Sequence, residues 1–249
     1  MRKPLSIINL KFSKNSDNLD ATLNQELYKK KFMELSRCHW PKADADMIAY
    51  HDTEWGTPVH DDRKLFEFMI LDAFQAGLSW STILRKRENF RHAFAGFYAE
   101  AIARFDDKDV ERLMNDAGII RNRLKILASI DNARAFLKIV GSHGSFDAFI
   151  WQFTGGETIT NHWTEEKQIP VTSPEAERMS AELKANGFRF VGPTICYSFM
   201  QAAGMVNDHL VSCFRWKEVG EQSRTKSSGA DIPKRTRKLD FEESNASPD

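Results

Sequence analysis

The chain is predicted to be all-α, and three observations carry that expectation. Apolar residues recur at helical spacing through the middle of the sequence, as at positions 65, 66, 69, 70 and 73. Capping residues and glycines punctuate that pattern at intervals suited to helices. No stretch alternates apolar and polar residues long enough to demand a sheet.

The elements follow in order. Residues 61–76 form the first clear helix, stopped by Gly77. Ser79 caps a helix over 80–92. Asp107 caps one to about Asn115, and residues 121–140 form a long amphipathic helix ended by Gly141. Residues 145–153 follow. Ser173-Pro174-Glu175 is a strong start, with proline at the first helical position, and that helix ends at Asn186-Gly187. Residues 194–203 make the next helix, closed by Gly204. A short helix over about 20–31 is also expected.

The 249 residues suit one large domain between two polar ends. Residues 1–31, with seven Lys/Arg against three Asp/Glu, are expected to be a flexible extension. Residues 217–249 carry seven of each sign and few large apolar side chains, so they are expected to be a disordered tail. The basic run Lys234 to Lys238 lies within it and is expected to be solvated. The middle, 32–216, is therefore mildly acidic, which excludes a bulk-charge nucleic-acid binder and leaves phosphate contact to local features. Three cysteines make no even disulfide framework. With no signal peptide and no membrane span, a cytoplasmic protein is expected, and no heptad seam argues against a monomer.

Cys38 and His51 near the start, and His209 and Cys213 near the end, are the complement of a closed tetrahedral zinc site. The last two are four apart, so on a helix they would share one face. The plainer reading, buried cysteines and satisfied core histidines, stands beside it. Residues 185–204 read as helix, glycine-bounded turn, helix. Such a hairpin presents turn amides and a helix N-terminus to an anion, although an ordinary αα-hairpin has the same pattern. In LDAFQAGLSW, residues 71–80, Asp72 lies on an otherwise apolar helix and Trp80 follows a glycine turn. A buried carboxylate beside rings suits a flat, nitrogen-rich ligand, or else Asp72 pairs locally. MIAYHDTEWG, residues 47–56, places Tyr50 beside His51 with Trp55 nearby.

With these strings in hand the chain resembles the 3-methyladenine DNA glycosylase I family of the helix-hairpin-helix superfamily. The matching strings are RCHW, AYHDTEWGTP, QAGLSW with ILRKRENFR, DAGIIRNR, FVGPTICYSFMQAAGMVNDH and Cys213. The resemblance implies a structural zinc on Cys38, His51, His209 and Cys213. It implies hydrolysis of the N-glycosidic bond of 3-methyladenine in double-stranded DNA, leaving an abasic site, with no strand cleavage. It places Asp72 as the key carboxylate, Tyr50, Trp80, Gln75 and Met47 around the base, and Gly192 and Thr194 at a DNA phosphate. The family's best-known members carry glutamate at the position of Asp72 and tyrosine at that of Met47. A shifted lesion preference, such as 3-methylguanine, and a catalytically dead, zinc-stabilised DNA-binding module are the alternatives. Asp208 lies near where related glycosylases place a catalytic aspartate, and beside His209 it is expected instead to orient a metal ligand.

Overall fold

The computed structural model describes residues 35–227. The expectations for residues 20–31 and 234–238 lie outside the described residues. The molecule is mostly helical, as expected. Helix α1 (Ala45–Thr53) is capped by the Asp44 side chain, which accepts from the amides of Asp46 and Met47. Periodicity did not announce it, because its buried residues, Tyr50 and His51, are adjacent rather than spaced along a stripe.

Helix α2 (Asp62–Gln75) runs through the centre, with every residue from Leu65 to Phe74 buried. A helix apolar all round belongs inside a protein, and here it packs against the elements that follow. Asp61 caps it, and Ala76-Gly77 ends it with Gly77 at φ 81°. The buried Lys125 closes that end by donating to the carbonyls of Phe74 (2.8 Å) and Ala76 (2.6 Å), which would otherwise be orphaned. Helix α3 (Trp80–Ala93) starts at the Ser79 cap. A short helix α4 (Ala99–Ile102) precedes α5 (Asp107–Asn115). The cap of α5 is Asp106, not Asp107, and it forms a capping box with Asp109.

Helix α6 (Arg123–His143) is capped by Asn122 and ends at Gly144, φ 85°. The expected stop at Gly141 is thus corrected: the positive-φ position that favours glycine falls three residues later. Helix α7 (Phe146–Trp151) passes into a 3₁₀ turn, Gln152–Thr154. Helices α8 (Pro174–Ala185) and α9 (Pro193–Ala202) form a packed pair joined by a tight turn. Asn132 of α6 fixes that turn by donating to the Arg189 carbonyl (3.0 Å) and accepting from its amide (2.7 Å).

A two-residue parallel pairing, β1 (Ile159–Thr160) with β2 (Val206–Asn207), was not foreseen. It satisfies backbone groups that burial would otherwise strand. Helix α10 (Phe214–Ser227) also departs from expectation: the tail predicted from residue 217 begins as helix, and Val219 is buried. Among the described residues, no helix is long and apolar enough to cross a membrane.

Gly204 (φ 69°) sits where the chain after α9 crosses residues 57–58. A Cβ there would lie 2.3 Å from the Thr57 carbonyl carbon and 2.4 Å from the Pro58 nitrogen. Gly204→Ala is therefore expected to cost about 3 kcal/mol or more, from backbone clash and positive-φ strain together. Urea unfolding checks this, and a loss below about 1 kcal/mol would show that the crossing can relax.

Candidate active site and metal cluster

Cys38 lies in the segment before α1, His51 on α1, and His209 and Cys213 in the turn between β2 and α10. The four are buried and their donor atoms all lie within 4.8 Å of one another. Individual separations are 3.7 Å (Cys38 Sγ to His209 Nδ1), 3.6 Å (Cys213 Sγ to His209 Nδ1) and 3.5 Å (Cys213 Sγ to His51 Nε2). Metal bonds of about 2.3 Å to sulfur and 2.0–2.1 Å to nitrogen at tetrahedral angles give S···N edges of about 3.6 Å. The cluster can therefore hold a metal ion. The helical face expected for His209 and Cys213 is corrected: they lie on a turn, in which the Cys213 amide donates to Leu210 O (2.8 Å). The turn converges the two side chains without needing helical spacing.

Both imidazoles are oriented by their outer nitrogens. His51 Nδ1 lies 2.7 Å from Asp52 Oδ1, and Arg37 in turn donates to both Asp52 oxygens. His209 Nε2 lies 3.0 Å from the Trp55 carbonyl. Each ring thus turns its other nitrogen to the cluster, as a metal ligand must. Asp208, expected to orient His209, does something else. Its Oδ1 accepts from Asn161 and Trp163, both at 2.7 Å, and its Oδ2 from Tyr197 (2.7 Å) and Gln201 (2.8 Å). It is a fully buried and fully satisfied structural carboxylate.

Beside the cluster is a cleft of about 320 Å³, at the small end of ligand pockets. Tyr50, Asp72, Gln75, Trp80 and Met47 all line it, as the sequence anticipated. Tyr50 and Trp80 present tilted rings 5.2 Å apart. Trp40, Trp55, Glu166, Ile169, Ser198, Gln201 and Ala202 complete the lining and were not singled out for it. The spacing of Ser198, Gln201 and Ala202 on α9 was the available signal, since polar groups three apart on a mostly buried helix face something. Trp40 packs edge-on against His51 at 5.4 Å, so the cluster and the cleft share a wall.

Asp72 is 2% exposed, and no hydrogen bond reaches its Oδ2. The indole nitrogens of Trp40 and Trp80 are likewise buried without a partner. Three buried polar atoms of residues lining one small aromatic cleft thus have no partner within the protein. Burial pushes the Asp72 carboxyl well above the usual carboxylate range, opposed by the Arg87 guanidinium. Arg87 itself is held by Glu67 (2.6 Å) and by both oxygens of Glu54. Burial, then the nearby Asp72, also pushes the Tyr50 phenol upward.

Fold and cleft together define a helical protein with a small cleft walled by aromatic rings and a buried acid. The chain belongs to the methyladenine glycosylase family, whose model matches residues 40–216. It is 49% identical to DNA-3-methyladenine glycosylase 1 of Escherichia coli over 72% of this chain and 96% of that protein. It is 41% identical to DNA-3-methyladenine glycosylase of Haemophilus influenzae over the same shares. Among solved structures, a 3-methyladenine DNA glycosylase I aligns with TM-score 0.71 and 49% identity, over 72% of this chain and 98% of that one. The glycosylase I of Staphylococcus aureus, solved for the structural basis of 3-methyladenine recognition, aligns with TM-score 0.70 and 34% identity, over 72% and 96%.

An acid whose folded pKa is raised keeps a proton that the unfolded chain releases. Its stabilising share is complete at low pH and is lost as pH climbs from the usual carboxylate range to the raised value. Asp72→Asn removes that penalty. The variant is expected to be more stable than wild type by on the order of 1 kcal/mol near neutral pH, with the gain vanishing in acid. Urea melts across pH test this; a gain that does not vary with pH would mean Asp72 is not the group responsible.

Proposed function

We propose that this protein is a monofunctional DNA-3-methyladenine glycosylase acting on alkylated duplex DNA. The observation that carries the reading is the Asp72 carboxylate, buried in an aromatic cleft with an oxygen left unpartnered. Methylation at N3 makes the adenine ring cationic and a good leaving group, so little acid catalysis at the base is required. The enzyme must extrude the nucleotide, select the ring and support an electron-poor sugar. Tyr50 and Trp80 would hold the cationic ring by stacking, which favours the lesion over neutral adenine. Asp72 would accept from the exocyclic amine, and the ring's charge would draw its carboxyl toward the anion. Gln75 and Met47 would fill the remaining edge, Met47 through its polarisable sulfur. Hydrolysis would release the free base and leave an abasic site with the strand intact.

The turn between α8 and α9 supports a helix-hairpin-helix contact to DNA. Gly192 is the N-cap of α9 and Thr194 is exposed in its first turn. No hydrogen bond within the described residues engages the amides of Gly192 and Thr194, which leaves them for a phosphate. The metal that suits Cys38, His51, His209 and Cys213 is one zinc ion, whose role with four protein ligands is structural. The protein would work as a cytoplasmic monomer. Aspartate is one methylene shorter than the glutamate of the best-known relatives, which favours, as a second reading, a lesion preference shifted toward other N3-alkylated purines.

Release of free base from methylated duplex DNA tests the function. Wild type is expected to release 3-methyladenine, and Asp72→Ala to lose about a hundredfold in rate while staying folded, since it removes a charge-assisted partner from a buried site. Folded wild type that binds DNA yet releases no base would leave only the binding module.

Metal removal provides a separate check. Elemental analysis is expected to find one zinc per chain, and stripping it should lower the melting temperature by more than about 10 °C. A metal-free preparation melting where the holoprotein does would remove zinc from the account.

A further inference from the structure

Residues 121–124, at the start of α6, are all exposed, and Leu124 is 69% exposed in its first turn. Among the described residues no hydrogen bond or ion pair engages the side chains of Arg121 or Arg123. Two free guanidinium groups thus lie just ahead of an exposed leucine. The patch sits at the mouth of the cleft, because the next residue, Lys125, bonds the carbonyls on either side of Gln75, which lines it. The turn leaving that point exposes a second leucine, Leu78, at 41%.

The patch also lies on the side of the α8–α9 turn: Asp131, seven residues after Leu124 on α6, pairs with Arg189 of the turn at 3.0 Å. Lys125 and Asn132 are seven residues apart on α6, two turns or about 10 Å along one face. Lys125 grips the end of α2 and Asn132 grips the hairpin at Arg189. One helix therefore lines up the cleft mouth, the arginine patch and the hairpin turn. Unpaired cations beside apolar side chains, at the opening through which a nucleotide would enter, match a polyanion with a stacked apolar interior.

We propose that Arg121, Arg123 and Leu124 form a second contact to duplex DNA, the two arginines on backbone phosphates and Leu124 against the base stack beside the extruded nucleotide. This rests on the glycosylase reading for the identity of the ligand. It gives the mildly acidic core a positive foothold apart from the hairpin, and it places apolar surface where unstacking has to be offset.

The test is the salt dependence of binding to an undamaged duplex and to the same duplex carrying an abasic-site analogue, for wild type, R121Q/R123Q and L124A. Free 3-methyladenine binding and metal content serve as controls for the fold and cleft. Losing two phosphate contacts should reduce the slope of log K against log salt by about 1.8. L124A should weaken the abasic duplex about tenfold and leave the slope unchanged, as fits removal of a leucine's burial. Slopes and affinities equal to wild type in both variants overturn the inference while leaving base release, and so the glycosylase reading, intact. Reduced slopes in a protein that releases no base support the inference and remove the glycosylase reading. A wild type that binds neither duplex overturns both.

Discussion

The convergence of Cys38, His51, His209 and Cys213 is the constraint from which the rest of the site hangs. It brings together segments 171 residues apart, as in the contact between Cys38 and His209. The 209–213 turn is held by a two-residue parallel pairing on one side and α10 on the other. What the cluster fixes is therefore mainly a wall. Trp40 and Trp55 pack on its imidazoles and at the same time line the cleft. Asp52 and the Trp55 carbonyl set the ring orientations, so the cleft's geometry descends from the cluster through rigid aromatic contacts.

Two buried aspartates show how differently one residue type can be used. Asp208 meets four donors and leaves nothing over, so it stitches β2, α9 and the 161–163 segment together. Asp72 lies in the middle of an otherwise apolar helix with an oxygen unanswered. The first stabilises a fold, whereas the second is buried at a cost that its raised pKa reflects. Arg87 lies near enough to moderate the cost, but its own bonds go to Glu54 and Glu67, so it does not neutralise Asp72.

Much of this was legible in the chain. Helices with a clean cap and an apolar period, such as α2, α3 and α8, were evident, because local chemistry and burial agree there. The cluster and most of the central cleft residues stood out as types that are costly to bury, with plainer readings beside them, and the family resemblance decided between the two. What escaped was whatever depends on contacts distant in sequence. Helix α1 has no stripe, since tertiary packing rather than periodicity buries it. The β1–β2 pairing is two residues long, below any pattern. Trp40, Glu166 and Gln201 reach the cleft from three separate segments. Asp208 was assigned to its sequence neighbour His209, although its partners lie across the fold. The extent of α10 was missed because Val219 and Arg215 are buried by tertiary contact in an otherwise polar stretch.

Helix α6 has a property beyond stability. Lys125 and Asn132 each hold a different part of the molecule, and they do so from one side of the same cylinder. Most of the residues between them, Ile126, Ala128, Ser129 and Ile130, are buried, and adding or deleting one residue would turn the two grips roughly 100° out of phase and turn that core face with them. The interval is a ruler whose units are helical turns. Length is thus fixed here by the two grips, and composition by the buried residues between them.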